Sequence, residues 1–230
     1  MGGVSIETLL RIDKIERYLR VLDPIGMTSK AEKFLNIDNE KQLDLLLTRQ
    51  VTEFNKYVEQ GMLIHLPFEE LPECDLQNFR LSGSILFRAN LSGANLSAAI
   101  LSGADLSAAS LSAADLSAAD LSGAILSAAD LSGADLSGAN LSEANLSWAK
   151  FLNTVIINCK LSNAIIATYT DFSKAIIDDP DFPRHLHQKG VRNIPDEIKN
   201  KQELREKLLT RDFNRETIDY YLRLSQLPEI

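Results

Sequence analysis

The sequence is poor in the residues that crosslink small proteins or anchor them in a membrane. It has 230 residues but only two cysteines, Cys74 and Cys159, and its apolar runs are only a few residues long. Two cysteines are too few for a disulfide framework, and no run approaches the roughly 20 apolar residues of a membrane helix. The N-terminal residues lack the apolar segment of a secretory signal. We therefore expect a cytoplasmic chain with no membrane partner and a core built by apolar packing.

Positive charge is scarce in the middle of the chain. The formal net charge is −8, and residues 66–178 carry 12 acidic but only 5 basic side chains. This excess of acid argues against a nucleic-acid partner and allows a basic one. The same segment contains no histidine that could activate its many serines, and no glycine-rich phosphate loop precedes a lysine. His185 and His187 are too few to hold zinc, so we expect no enzymatic activity, no cofactor and no metal.

What the sequence does contain is a leucine, or another large apolar residue, at every fifth position from Leu76 to Ile166. On an α-helix, residues five apart would be displaced by about 140° each time, so no apolar face would form. On a flat strand, every second leucine would face water. The chain must therefore bend once in five residues, in the same sense each time, and coil into a solenoid with its leucines inside.

Each unit reads as a small residue, a polar residue, leucine, serine, and then a residue at a corner. Gly103 and Gly123 are examples of corner glycines, which supply the positive φ that a type II turn requires. Alanine resists positive φ, so we expect type I or variant turns where the corner residue is alanine (Ala98, Ala108, Ala113, Ala118 and Ala128). Cys74 and Cys159 occupy the small slot and are expected to be buried and unreactive.

The uninterrupted pattern A(D/N)LSG resembles the pentapeptide-repeat family. The resemblance implies a mainly β fold, a right-handed quadrilateral parallel β-helix with four pentapeptides, or about 20 residues, in each coil. Continuing the count to Ile177 gives about five coils, and the six-residue spacing from Ile166 to Phe172 predicts a bulge. Because Glu69 stands in a small slot, where a carboxylate is costly to bury, we expect the regular coils to begin at Cys74.

The remainder of the chain predicts helical flanks. We divide it into an N-terminal α-helical cap (1–65), the β-helix (66–178), and a C-terminal connector with short α-helices (179–230). A solenoid exposes its core at both ends, so the flanks are expected to cover these ends. One flank could also serve in docking or dimerisation, and the sequence leaves both possibilities open.

Apolar residues at helical spacing place the individual helices. They predict helices over 6–22 and 39–59, with a third over 29–35 and Asp38 as the cap of the second long one. Behind the proline-rich connector they predict two more helices, over 201–210 and 215–224, the last capped by Asn214.

Two outward surfaces of the predicted coil are candidate partner contacts. If residues 20 apart stack on one face, one face combines three isoleucines with nearby aromatic residues, an unusual apolar strip, whereas another carries a ladder of aspartates. The chain's own flanks could equally cover the strip. The apolar candidates are Ile85, Ile125, Ile165, Phe87 and Trp148, and the acidic candidates are Asp75, Asp115 and Asp135.

These surfaces favour a non-enzymatic scaffold or protein–protein interaction module whose partner is another protein. One alternative, implied by the resemblance to quinolone-resistance proteins, is a DNA mimic that binds gyrase or another DNA-binding enzyme. The repeat carries about one net charge per 3.4 Å, against about one per 1.7 Å in duplex DNA, so a mimic built from it would have about half the charge density of DNA. A second alternative is an ice-binding solenoid that presents its regular rows of serine hydroxyls.

Overall fold

The repeat coils with a period of 20 residues. The computed structural model describes residues 45, 47–59, 64–167, 169–179, 182, 186, 191, 198–210 and 213–229. From His65 to Asn145, each outward residue forms a parallel bridge with the residue 20 positions later, as in the pair His65 and Ile85. For Lys150 and Val155 the partner lies 21 positions later. Four such ladders run side by side, so each coil has four sides of five residues. The predicted periodicity is confirmed.

The four faces are numbered here by their outward ladders. Face 1 has His65, Ile85, Asp105, Ile125, Asn145 and Ile165; face 2 has Glu70, Asn90, Ser110, Asp130, Lys150 and Asp171; face 3 has Asp75, Asn95, Asp115, Asp135, Val155 and Ile176; face 4 has Arg80, Ile100, Asp120, Asn140 and Lys160. Among the described residues, the ladder of face 4 thus has five members and each of the other ladders has six.

The central leucines point into the coil. Every one of them from Leu66 to Leu146 is at most 2% exposed. Within the part of the chain that the structure describes, regular strand is limited to β1 (Val155–Ile156) and β2 (Ile176–Ile177), which pair in parallel. Elsewhere the rungs pair by single bridges, because a chain that turns every five residues cannot extend a strand further.

Each pentapeptide uses its backbone in the same way, and the unit around Leu116 shows the pattern. The N–H groups of Leu116 and Ala118 donate to the next coil, at Asp135 O and Ser137 O (2.8 Å each), while Asp115 N–H donates to Ala94 O of the preceding coil (2.9 Å). Of the other two N–H groups in a unit, that of the small residue closes the turn, as Ala119 N–H does by donating to Leu116 O (3.0 Å). That of Ser117 donates to the Asp115 carboxylate (Oδ1, 2.9 Å). The aspartate or asparagine of the unit thus satisfies a local backbone donor.

The alanine corners differ from the expectation. Ala118 has φ 55° and Ala128 has φ 59°, close to the 64° of Gly123, and the other corner alanines are alike. The expectation of type I turns there is wrong. Each corner N–H must donate to the following coil, and this repeated bond imposes one turn geometry on glycine and alanine alike. The hydrogen bonds of the ladder therefore outweigh the cost of about 1–2 kcal/mol of placing an alanine in the left-handed conformation.

At the ends of the coil, the structure contradicts one expectation from the sequence and confirms another. Bridges already form at His65 and Glu70, so the coil begins before Cys74. Glu69 is tolerated because it lies in the first coil, where it is only half-buried. At the other end, Lys150 pairs with Asp171, a spacing of 21, which confirms the predicted inserted residue.

On the N-terminal side, helix α1 (Val51–Glu59) covers the first coil. The ring of Phe54 packs edge to face on Phe79 with centroids 5.0 Å apart, and both side chains are fully buried. The side-chain carbonyl of Asn55 (Oδ1) accepts from Arg80 N–H (2.8 Å), the bond that a backbone carbonyl of the preceding coil makes elsewhere in this ladder. The prediction of one helix over 39–59 is wrong, since residues 48–50 are not helical and Arg49 has φ 54°. The predicted helices over 6–22 and 29–35, the cap Asp38, residues 39–44 and residue 46 lie outside the described residues.

On the C-terminal side, helices α2 (Lys201–Leu209) and α3 (Arg215–Leu224) lie within the predicted ranges. The side-chain carbonyl of Asn214 (Oδ1) accepts from Thr217 N–H (2.8 Å), so Asn214 caps α3 as predicted. Phe182 packs edge to face on Phe172 at the last coil (5.5 Å). Among the described residues, no helix combines the length and apolarity needed to cross a bilayer.

Candidate interaction surfaces

Face 1 presents an apolar strip toward its C-terminal end. Ile125 is 41% exposed and Ile165 is 55% exposed, while Ile85 is half-buried. Neither Ile125 nor Ile165 belongs to a buried apolar cluster of the described residues. The only charged member of this ladder between Ile85 and Ile165 is Asp105. Face 1 is therefore the least charged outward surface of the coil.

An aromatic pair stands at the corner that follows face 1. The rings of Trp148 and Tyr169 stack with centroids 4.3 Å apart and an angle of 18° between them. Trp148 is 57% exposed and Tyr169 64% exposed. Trp148 also has φ 66°, the left-handed conformation that the corner residues of the coil share.

The corners beside face 1 form a row along the coil, and the N-terminal end of this row is packed differently. Phe87 meets Phe68 edge to face, with centroids 5.5 Å apart, and the Arg88 guanidinium lies 5.3 Å from the Phe87 ring centroid. Phe87 is half-buried. The structure therefore brings Ile125, Ile165 and Trp148 into one exposed region and leaves Ile85 and Phe87 in a more enclosed one.

The acidic ladder of face 3 is engaged by both flanks of the chain. Arg49 pairs with Asp75 (Nη2 to Oδ2, 2.8 Å) at one end. At the other end, Tyr221 of α3 donates its hydroxyl to Asp135 (Oδ2, 2.7 Å). Burial, together with the neighbouring Asp135 carboxylate, raises the pKa of Tyr221, so the phenol remains a donor. Only Asp115, between them, has no flank residue bonded to it among the described residues.

The C-terminal helices cover the apolar end of face 3. Val155, Ile157 and Ile176 of the coil form a buried cluster with residues of α2 and α3, among them Leu204, Leu208, Ile218, Tyr221 and Leu222. The sequence places Val155 and Ile176 in outward slots, and apolar residues there could have indicated a covered patch. What the sequence does not reveal is which flank covers them.

Asp178 joins this cover to the last coil. Its carboxylate accepts from Asn158 N–H (2.8 Å), and Ser225 and Gln226 of the C-terminal tail also bond to it. The Gln226 amide donates to Asn158 Oδ1 (2.9 Å). Burial is the main cause that raises the pKa of Asp178, against the opposing effect of these hydrogen bonds.

No catalytic constellation is found among the described residues. They contain no group of three or more histidine, cysteine, aspartate or glutamate side chains that could hold a metal. Cys74 and Cys159 are half-buried, so the expectation that both are buried is wrong. The Cys159 thiol donates to Leu136 O (2.6 Å), and partial burial raises the pKa of both thiols, which disfavours the reactive thiolate. His185 and His187 lie outside the described residues.

The sequence interpretation missed two features of these surfaces. Tyr169 stacks on Trp148 because the inserted residue makes the spacing 21 instead of 20, and the insertion itself was the available signal. The aspartate slot was interpreted as simply polar and outward, whereas its carboxylate caps the serine N–H two residues later, as Asp135 does for Ser137 (2.8 Å). Charge in this slot therefore has a structural cause.

Comparison with known proteins agrees with the coil geometry. The family model for pentapeptide repeats matches eight copies, in overlapping stretches over 71–103, 89–127, 129–166 and 139–179. No curated protein matches the chain. Through residues 71–179, the chain belongs to the pentapeptide-repeat family. Members of this family form right-handed β-helices and are in general non-catalytic interaction modules.

Several solved structures are similar to this chain. Rfr23, a pentapeptide repeat protein of the cyanobacterium Cyanothece 51142, is 28% identical over 52% of this chain and 97% of its own, with a TM-score of 0.39. A pentapeptide repeat protein of the Arabidopsis thaliana thylakoid lumen is 27% identical over 62% and 87%, with a TM-score of 0.30. A trypsin-treated form of QnrB1, a plasmid-mediated fluoroquinolone resistance protein, is 22% identical over 50% and 73%, with a TM-score of 0.29.

Proposed function

We propose that the protein is a non-enzymatic scaffold that binds another protein through the C-terminal half of face 1. The observation that carries this proposal is the exposed aromatic stack of Trp148 and Tyr169, which follows the exposed residues Ile125 and Ile165. Aromatic residues are enriched at the centres of protein interfaces, where they bury a large area at low cost in conformational entropy. The partner is expected to present an apolar surface there.

The acidic ladder supports a DNA-mimicking function less well. Asp75 and Asp135 already have partners within the chain, and the ladder ends in Val155 and Ile176 beneath the C-terminal helices. A mimic would need these carboxylates in a regular, accessible row. Their use by the chain's own flanks favours a structural role for the ladder.

Affinity capture with paired variants tests the proposal. The intact protein is compared with the combined variant Ile125→Ser, Trp148→Ser and Ile165→Ser, whose altered side chains are all more than a third exposed. Asp115→Asn is the matched control, since asparagine keeps the oxygen that accepts from Ser117 N–H. We expect a specific partner that the combined variant loses and the control retains. Loss with Asp115→Asn alone would overturn the proposal and favour mimicry.

A further inference from the structure

The row of corners that follows face 1 has a small residue directly before its aromatic pair. These left-handed corner residues are Phe68, Arg88, Ala108, Ala128 and Trp148. Ala128 N–H donates to Ser147 O (2.9 Å), so the Ala128 corner lies one coil before that of Trp148. Successive coils are about 4.8 Å apart, close to the 4.3 Å between the stacked ring centroids of Trp148 and Tyr169. The stack therefore runs along the coil, and the second face of the Trp148 ring points toward Ala128.

This second face of the indole ring is accessible. Trp148 is 57% exposed, and Ala128 is exposed as well. The side chain of alanine is a single methyl group, so the row itself does not fill the layer where a further ring of the stack would lie. We call this layer the Ala128 slot. A planar group of a partner can enter it and lie parallel to the indole ring.

The chain itself indicates which planar group suits this row. At the N-terminal end of the row, the Arg88 guanidinium lies 5.3 Å from the ring centroid of Phe87. A guanidinium within about 6 Å of an aromatic ring gains a cation–π attraction, which is strongest with tryptophan. Arg88 adopts φ 56°, so an arginine is compatible with the corner geometry. The Phe87 ring thus has a cation from its own chain, while the ring better suited to this contact, Trp148, is the exposed one.

The charges around the Ala128 slot also favour a cation. From Asp105 to the end of face 1, the charged side chains of this face and its two corner rows are Asp105 and Glu143. On face 2, Asp130 follows Ala128 by two residues and is opposed by Lys150 at 3.9 Å. Three carboxylates and one lysine therefore surround the slot. A cationic partner group is complementary to this surface, whereas an acidic one would be repelled.

We propose that the partner bound by face 1 inserts an arginine into the Ala128 slot, where its guanidinium stacks on Trp148, while neighbouring apolar side chains of the partner cover Ile125 and Ile165. This inference rests on the proposed function, because it names the chemistry of the partner at the same surface. Arginine suits the slot better than lysine, since a guanidinium is planar and more weakly hydrated than an ammonium group.

Three short peptides that differ in one side chain test this preference with the full-length protein. They are acetyl-LARAL-amide, its lysine analogue and its citrulline analogue, whose ureido group keeps the planar shape of the guanidinium without its charge. Nuclear magnetic resonance titration follows the methyl groups of Ile125 and Ile165 and the indole N–H of Trp148, the only tryptophan in the sequence. The arginine peptide should shift all three signals and bind about three- to tenfold more tightly than the citrulline peptide. The lysine peptide should bind with intermediate affinity.

Two protein variants locate the preference. Trp148→Leu keeps an apolar side chain at the corner but removes the indole ring, so the arginine and citrulline peptides should bind within about twofold of each other. Ala128→Arg fills the slot with a guanidinium of the chain itself, at a corner geometry that Arg88 already adopts, and should have the same effect. The matched control is Ala98→Arg, at an exposed left-handed corner of another row, which should keep the parent's preference.

Three results would overturn the proposal. They are equal binding of the arginine and citrulline peptides by the parent protein, an undiminished preference in Ala128→Arg, and no shift of the Trp148 signal at about 10 mM arginine peptide. Equal binding that still shifts the Ile125 and Ile165 signals would remove the arginine and leave the proposed function standing. The proposed function itself fails if the combined variant described above retains the captured partner.

Discussion

The left-handed corner alanines make a prediction about stability that runs against ordinary expectation. Replacing Ala118 by glycine should stabilise the coil. An L residue at positive φ costs about 1–2 kcal/mol, and glycine removes this cost but loses about 0.4–1 kcal/mol through the greater freedom of the unfolded chain. The net gain is about 0.5–1 kcal/mol. Little else changes at the corner, since a Cβ built on Gly138, the next corner in the same row, meets only backbone atoms of Ala118 at ordinary contact distances of 3.8 and 3.9 Å.

Thermal unfolding followed by circular dichroism measures this gain. For a chain of this size, Tm rises by about 2–4 °C per kcal/mol, so Ala118→Gly should raise it by about 1–4 °C. Changing all five corner alanines should raise it by about 5–20 °C if the sites add. The control is Ala119→Gly, one residue later in a buried slot without positive φ, which should destabilise by about 1–2 kcal/mol. If Ala118→Gly lowered Tm as Ala119→Gly does, the corner geometry described here would be refuted.

Three further predictions concern the core and the C-terminal cover. Leu116→Asp should unfold the coil, because it places an unpaired charge where the leucine is 0% exposed. Unfolding would be seen as loss of the circular dichroism signal. A Tm within a few degrees of that of the parent protein would contradict the assignment of Leu116 to the interior. Tyr221→Phe removes the bond to Asp135 and should speed amide exchange in α3 by about tenfold, whereas unchanged exchange would show that the bond adds nothing. The pKa of Asp178 is raised on folding, so the contribution of this carboxyl to stability should increase as pH falls from that raised pKa toward about 3.9. The variant Asp178→Asn should lose this pH dependence. A variant whose stability changes with pH as the parent's does would contradict the prediction.

The features that could be predicted from the sequence are those that depend only on the spacing of residues along the chain. The period of five places Leu116 and its equivalents inside, and the six-residue spacing before Phe172 locates the inserted residue. The corner at Ala118 could not be assigned in this way, because alanine's own preference is overridden by a bond to Ser137 of the next coil. Propensity is a weak guide where each unit repeats the bonds of its neighbours.

The surfaces depended on contacts between distant parts of the chain. The strip of face 1 follows from placing Ile125 and Ile165 on one ladder, which the period of 20 supplies. The bond between Tyr221 and Asp135 joins residues 86 positions apart, and no periodicity relates them.

The central claim is that the described parts of the flanks cover face 3 and leave the end of face 1 open. Because Trp148 is the only tryptophan in the sequence, acrylamide quenching of its fluorescence in the full-length protein tests this claim directly. An open face 1 predicts a red-shifted emission and efficient quenching, in keeping with a side chain that is 57% exposed. A blue-shifted, poorly quenched Trp148 would contradict the claim, since it would mean that another part of the chain or a second copy already covers the aromatic pair.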